Sequence, residues 1–228
     1  MCQLLAVNSS KPADLGQFFD VFAERGGRTD EHKDGWGIAF HSGKRCRLFT
    51  DHRACVESPL AARIRGASLR ARNILAHIRK ATQGRIALEN SHPFARKLWG
   101  QTWSFAHNGD LKGFAPAAGQ FVPQGDTDSE AAFCYLLSRL AERFAEAPAA
   151  AELHAALAEL SAGIAAHGTF NFILSNGETL YAHCSTKLHY RLDGRQALIA
   201  TEPVDSESGW IPFATGELKA FATGTLAH

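Results

Sequence analysis

The sequence predicts an α+β fold built on antiparallel sheet, and three observations carry that expectation. Strand-like runs open the chain, two helical segments occupy its middle, and strand-like runs return from Thr169 to the end. The connections between strands are hairpin-length, without the repeated βαβ crossovers of a doubly wound parallel sheet. Asn176-Gly177 and Asp193-Gly194 each sit between β-rich runs, where such dipeptides form tight turns.

Taken in order, Cys2-Gln3-Leu4-Leu5-Ala6-Val7 is a continuous apolar run and reads as a strand buried on both faces. Residues 13 to 25 place Leu15, Phe18, Phe19 and Phe22 at helical spacing, with Gly26-Gly27 as the stop. Trp36-Gly37-Ile38-Ala39-Phe40 and Arg47-Leu48-Phe49 flank Ser42-Gly43-Lys44 as a hairpin. Residues 57 to 71 read as helix, Asn73 to Ile78 as a buried strand, and Trp103-Ser104-Phe105-Ala106 as a short strand closed by a turn at Asn108-Gly109. Helices are expected over 128 to 146, behind the capping run Asp126-Thr127-Asp128-Ser129-Glu130, and over the Ala-rich stretch 149 to 166. Glu152, His154 and Glu159 keep the latter from reading as a membrane span.

The 228 residues are expected to form one domain, 1–228, without internal repeat or linker. Lys plus Arg number 24 against 23 for Asp plus Glu, so no basic field points to nucleic acid or an anionic membrane. A small molecule or another protein is the expected partner. The apolar start lacks the features of a signal peptide, and no segment is apolar for long enough to span a bilayer, so a cytoplasmic location is expected. Five cysteines in odd number, without a Cys-x-x-Cys pair, suggest neither a disulfide framework nor a thiolate zinc site. No cofactor is called for. Eleven histidines leave a metalloenzyme as a weaker reading, since they show no compact ligand spacing.

The chemistry begins at position two. Cys2 is small enough for Met1 to be trimmed, giving a mature chain 2–228 whose first residue carries both a thiol and a free α-amine. That amine titrates at about pH 7.7 to 8.0 and the thiol near about 8.5, so the first can take the proton of the second. Taken alone, the position of Cys2 favours an ordinary buried cysteine at a strand start. Arg79, leaving a strand into a Gly-containing loop, offers a fork for a carboxylate or a structural ion pair. The amide of Asn108 and the N–H of Gly109 supply two donors for an oxyanion, or merely a turn. Asp128 offers an acceptor for an ammonium, or a share in a helix cap. His92, in Asn90-Ser91-His92-Pro93-Phe94, reads as a loop histidine.

In this order the pieces resemble the class II glutamine amidotransferases, the cysteine branch of the N-terminal nucleophile hydrolases. The resemblance runs from Cys2 through His77-x-Arg79-x-Ala81-Thr82, Asn90-x-His92-Pro93 and His107-Asn108-Gly109 to Thr127-Asp128-Ser129-Glu130, and spans nearly the whole chain. Arg25-Gly26-Gly27, Lys33-Asp34-Gly35-Trp36-Gly37-Ile38 and Ala87-Leu88-Glu89-Asn90 are similar to the small stand-alone, YafJ-type members. The resemblance implies a four-layer αββα sandwich of two antiparallel sheets, the Ntn-hydrolase fold. It also implies that Cys2 attacks the side-chain amide of glutamine, with Asn108 and Gly109 stabilising the oxyanion. Arg79 and Thr82 would hold the α-carboxylate and Asp128 the α-ammonium, and a γ-glutamyl thioester would be hydrolysed to glutamate with release of ammonia.

Biosynthetic members of that family carry a synthase domain or partner that consumes the ammonia, and this chain ends soon after its glutaminase-like portion. A separate ammonia-accepting subunit and plain hydrolysis of another γ-glutamyl amide or peptide, as in thiol metabolism, are both open alternatives. From another class, a non-catalytic ligand-sensing or regulatory subunit would keep the pocket without turnover. Oligomeric state has no marker in the sequence.

Overall fold

A computed structural model describes residues 2–67 and 69–228. Among the described residues, thirteen strands form two antiparallel sheets. The first contains β1 (Gln3–Ala13), β2 (Trp36–Ser42), β3 (Arg45–Asp51), β4 (Ala71–Ile78), β9 (His189–Leu192), β10 (Gln196–Ala200) and β11 (Ile211–Pro212), in the order β11-β9-β10-β1-β4-β2-β3. The second contains β5 (Phe94–Leu98), β6 (Gln101–Leu111), β7 (Gly168–Ser175), β8 (Thr179–Cys184), β12 (Glu217–Ala222) and β13 (Thr225–Leu226), in the order β13-β12-β8-β7-β6-β5. Helices α1 (Gly16–Glu24) and α2 (Pro59–Gly66) pack on one sheet, α3 (Asp128–Arg143) and α4 (Ala150–Ala165) on the other. The expected α+β arrangement of four layers is the one observed.

Three apolar clusters correspond to the three interfaces between those layers. Leu5, Val7, Ile74, Ala76 and Ile78 meet Phe19 and Phe22 of α1 and Ile64 of α2. Leu4, Ala6, Leu75, Ala106 and Ile173 fill the space between the sheets. Trp103, Phe105, Phe170 and Phe172 meet Phe133, Leu137 and Leu157 of α3 and α4. Successive side chains of a strand point to opposite faces, so β1 and β4, apolar on both, read as unbroken hydrophobic runs. The same alternation decides the site: Cys2, His77 and Asn108 share parity with the residues that face the opposite sheet, whereas His107 shares parity with Phe105 and faces α3.

The element boundaries depart from expectation in instructive ways. Residue 13 ends β1, and α1 starts only at Gly16. The helix expected over 57–71 is shorter, because Ser58 caps it through Ala61 N (3.3 Å) and Pro59 occupies its first turn. Residue 71 already belongs to β4. Helix α3 ends at Arg143, and Thr127, rather than Asp126, caps its start through Glu130 N (3.2 Å).

Asn108-Gly109 is not a turn. It lies within β6, paired with Asn171 and Phe170 of β7. The glycine is needed there for close approach: a Cβ at position 109 would lie 1.8 Å from the Thr169 carbonyl oxygen. The β5 strand was not legible at all, since it is a charged edge strand turning into β6 through Trp99 (φ 51°) and Gly100 (φ 72°). Asn176-Gly177 and Asp193-Gly194 do form the β7–β8 and β9–β10 turns. Among the described residues, no helix is long and apolar enough to cross a membrane.

Candidate active site

At one end of the sandwich Cys2, Arg79, Thr82, Gly109 and Asp128 line a single small cavity, together with Lys80, Gln83, His92, His107, Thr127 and Ser129. Five of the six residues singled out in the sequence therefore converge. The sixth, Asn108, is fully buried beside them, between His107 and Gly109 on β6. Met1, whose removal would free the amine of Cys2, lies outside the described residues.

The pairing of β1 with β4 explains the first contact. Gln3 lies opposite Ile78 and Leu4 opposite His77, so the next step along both strands brings Cys2 beside Arg79. The Lys80 N–H donates to Cys2 Sγ at 3.3 Å, and the Lys80 carbonyl oxygen is 3.4 Å from the same sulfur. Cys2 is partly exposed as a residue, yet burial of its thiol pushes the pKa up. The Lys80 N–H and the Arg79 charge oppose that shift, and the Asp128 carboxylate adds to it. The thiol is thus the resting form near neutral pH and needs a base.

Arg79 is 2 % exposed and has no carboxylate partner among the described residues. Its guanidinium donates instead to the carbonyls of Gln83 (2.9 Å), Gly84 (3.2 Å) and Arg85 (3.0 Å), wrapping the following loop around itself. A buried cation satisfied only by neutral carbonyls retains its full charge for an anionic ligand. The loop is held from outside as well. Asp34 accepts from Ala81 N (2.8 Å), Gly35 O accepts from Arg79 N (2.8 Å), and Asn90 donates to Arg85 O (2.9 Å) while accepting from Asp126 N (3.1 Å). Gln83 donates to Asp110 across the mouth. The segments Lys33–Ile38 and Ala87–Asn90 thus serve as props for the Arg79 loop. Gly37 belongs to the same packing, since a Cβ there would lie 2.3 Å from the His92 carbonyl oxygen.

Asp128 opens α3, and its carboxylate accepts from Leu111 N (2.8 Å) and Ser129 N (2.7 Å). His107 Nε2 lies 3.0 Å from the Thr169 carbonyl oxygen, which only accepts, so this nitrogen carries the proton. Burial lowers the His107 pKa, keeping the ring neutral, and its bare Nδ1 then accepts the Ser129 hydroxyl at 2.8 Å. His92, read as a loop histidine, is 3 % exposed and packed between the rings of His77 (4.2 Å) and Phe94 (4.4 Å), tilted against both. Burial drives its pKa well below the ordinary value and that of His77 down to about 3. Three neutral imidazoles therefore back the cavity and add no competing positive charge.

Two residues without a sequence signal also shape the site. Asn171, opposite Asn108 on β7, donates to Asn108 O (3.0 Å) and accepts from Ser185 N (2.9 Å) and Thr186 N (3.0 Å). Thr201, just beyond β10, accepts from Leu4 N (3.0 Å) and sits 3.4 Å from Asn108 Nδ2. Only sheet register places them here. The arrangement brings a thiol, a buried cation, a carboxylate and backbone of β6 around one small space.

The family described as glutamine amidotransferases class-II matches residues 1–194. A Haemophilus influenzae protein is 50% identical over 191 residues, covering 83% of this chain and 65% of its own length. YafJ of Escherichia coli is 37% identical over 251 aligned positions, covering 98% of each chain. Among solved structures, the "predicted glutamine amidotransferase" of Pseudomonas aeruginosa superposes with a TM-score of 0.77 at 32% identity over the full length of both chains. The glutamine phosphoribosylpyrophosphate amidotransferase of Bacillus subtilis gives 0.71 at 14% identity, with 48% of that chain covered, a likeness of fold alone.

Proposed function

The chain belongs to the class II glutamine amidotransferases, and from that premise we propose that it hydrolyses the side-chain amide of glutamine through a thioester on Cys2. The observation that carries the reading is the meeting of Cys2, Arg79 and Asp128 on one small cavity whose lining includes His107 and Gly109 of β6. In this reading 1–228 is one amidotransferase domain and 2–228 its mature form.

Arg79 and Thr82 hold the α-carboxylate of glutamine, and Asp128 holds its α-ammonium. The α-amine of the processed Cys2 takes the thiol proton as sulfur bonds to the amide carbon. Charge that moves onto the amide oxygen meets the Asn108 side chain and the Gly109 N–H, two donors already fixed in a strand. As the intermediate collapses, the amine returns its proton to the leaving nitrogen, ammonia departs, and a γ-glutamyl thioester remains. Water then cleaves the C–S bond, yielding glutamate and restoring the thiol. Burial of the sulfur, which keeps it protonated at rest, is the reason a base is required.

The cavity that gathers these groups is small, which favours glutamine itself over a longer γ-glutamyl peptide. The test is a substrate panel of glutamine and larger γ-glutamyl amides with the Met1-free protein, following glutamate and ammonia together. Equal release of both from glutamine, with kcat/KM at least tenfold above every larger amide, is expected. A preference for a larger amide, or no release from glutamine, would overturn the reading.

A further inference from the structure

The hydrogen-bond inventory around Asn108 is incomplete in a way that identifies another participant. Asn108 is fully buried, and its Oδ1 has no partner among the described residues. Its Nδ2 lies 3.4 Å from Thr201 Oγ1, a long contact for an amide donor. Thr201 is 3 % exposed and doubly bonded to β1: its N–H donates to Leu4 O at 3.0 Å, and its Oγ1 accepts from Leu4 N at 3.0 Å. The hydroxyl proton of Thr201 is then left without an acceptor among the described residues. The amide oxygen and the hydroxyl proton are both buried and both unpaired, because the Asn108 amide turns Nδ2 rather than Oδ1 toward Thr201, and such unmade hydrogen bonds are costly in a buried site.

A half-turn of the Asn108 amide about its terminal torsion resolves both. Thr201 O–H then donates to Asn108 Oδ1, and Nδ2, with both its hydrogens, takes the place that Oδ1 now holds. The Leu4 N–H bond fixes the hydroxyl's lone pairs, so its proton can only point away from Leu4. The geometry points to Thr201 as a positioning residue for the proposed reaction: it locks the Asn108 amide with oxygen inward and the NH2 group presented to the oxyanion. Because Leu4 stands two residues from Cys2 and on the same face, one threonine ties the nucleophile's strand to the oxyanion donor. This rests on the glutaminase reading above, and on Asn108 acting there.

Thr201→Val keeps the branched shape and removes the hydroxyl, while Thr201→Ser restores it. For glutamine hydrolysis, Thr201→Val is expected to lower kcat about 10- to 100-fold, part of the loss that follows removal of an oxyanion donor. KM should stay within about threefold, because Arg79 and Asp128 are untouched, and Thr201→Ser should recover most of the rate. In an Asn108→Ala background, Thr201→Val should have no further effect, as expected of residues acting as one unit. A loss that appears in KM, that multiplies with Asn108→Ala, or that Ser fails to rescue would overturn the proposal. A separate readout needs no turnover: the Asn108 side-chain amide resonances, assigned by their absence from Asn108→Ala, should shift in Thr201→Val and hold in Thr201→Ser. Failure of the unmodified protein to hydrolyse glutamine would refute the substrate, whereas unshifted amide resonances in Thr201→Val would refute the role of Thr201.

Discussion

Arg79→Gln is the perturbation whose size follows most directly from the site. The guanidinium is 2 % exposed, lacks a carboxylate partner among the described residues, and bonds to three carbonyls of its own loop. A substrate carboxylate would make two charge-assisted bonds to it, each worth about 1.5–3 kcal/mol. Taking the lower figure for both gives about 3 kcal/mol, or roughly 150-fold in Kd. Glutamine at position 79 removes the charge but still offers two N–H groups to the loop carbonyls, so the fold should survive. Calorimetric titration of glutamine into Cys2→Ala and Cys2→Ala/Arg79→Gln measures binding without turnover. The doubly substituted protein should bind glutamine about 150-fold more weakly, and 4-aminobutanamide, glutamine without its α-carboxylate, equally in both. A loss under threefold, or an equal loss for both ligands, would refute the carboxylate clamp.

Asn108→Ala should lower kcat for glutamine by about 10²–10³-fold, as lost oxyanion donors do, with KM nearly unchanged; an unaltered kcat in steady-state assays would remove Asn108 from the chemistry. Stability should fall with acid through the buried histidines. Burial depresses the His41 pKa to about 4 from the unfolded value near about 6.5, so below that value the unfolded chain takes up a proton that the folded chain refuses. Stability is therefore full above about pH 6.5 and declines as pH drops toward 4, by about 3 kcal/mol from this residue. Urea unfolding at pH 7.5 and 5 should show about 2 kcal/mol less pH-dependent loss in His41→Gln, whose amide can keep the bond to Ser104; an identical loss in both proteins would contradict the assignment.

The parts of this molecule that were legible in its sequence are those set by local spacing. Leu15, Phe19 and Phe22 mark α1 because a helix buries one stripe, and β1 and β4 read as unbroken apolar runs because both faces are covered. Asn108-Gly109 misled because the dipeptide that signals a tight turn is used here for a different property: absence of a side chain where the Thr169 carbonyl crowds the strand. The β5 strand escaped because Arg96 and Lys97 sit on a sheet edge and the turn beyond it uses Trp99 in a conformation that tryptophan seldom adopts. Trp99 is held there by an Nε1 bond to Phe144 O (3.1 Å) and by edge contacts with Trp103 and Phe144. Within the site, Cys2, Arg79 and Asp128 were legible because charge and nucleophilicity are properties of residue type. His92, Asn171 and Thr201 were not. Their places beside the cavity come from burial and from strand register, which bring together positions far apart along the chain.

Mass mapping after reaction with a diazo-ketone analogue of glutamine tests the role of residue 2 most directly. A single adduct on Cys2 of the Met1-free chain is expected, slowed by excess glutamine and absent from Cys2→Ala, which should release no glutamate. An adduct confined to Cys46, Cys55, Cys134 or Cys184, or glutamate release that persists in Cys2→Ala, would contradict a nucleophile at the chain's amino end.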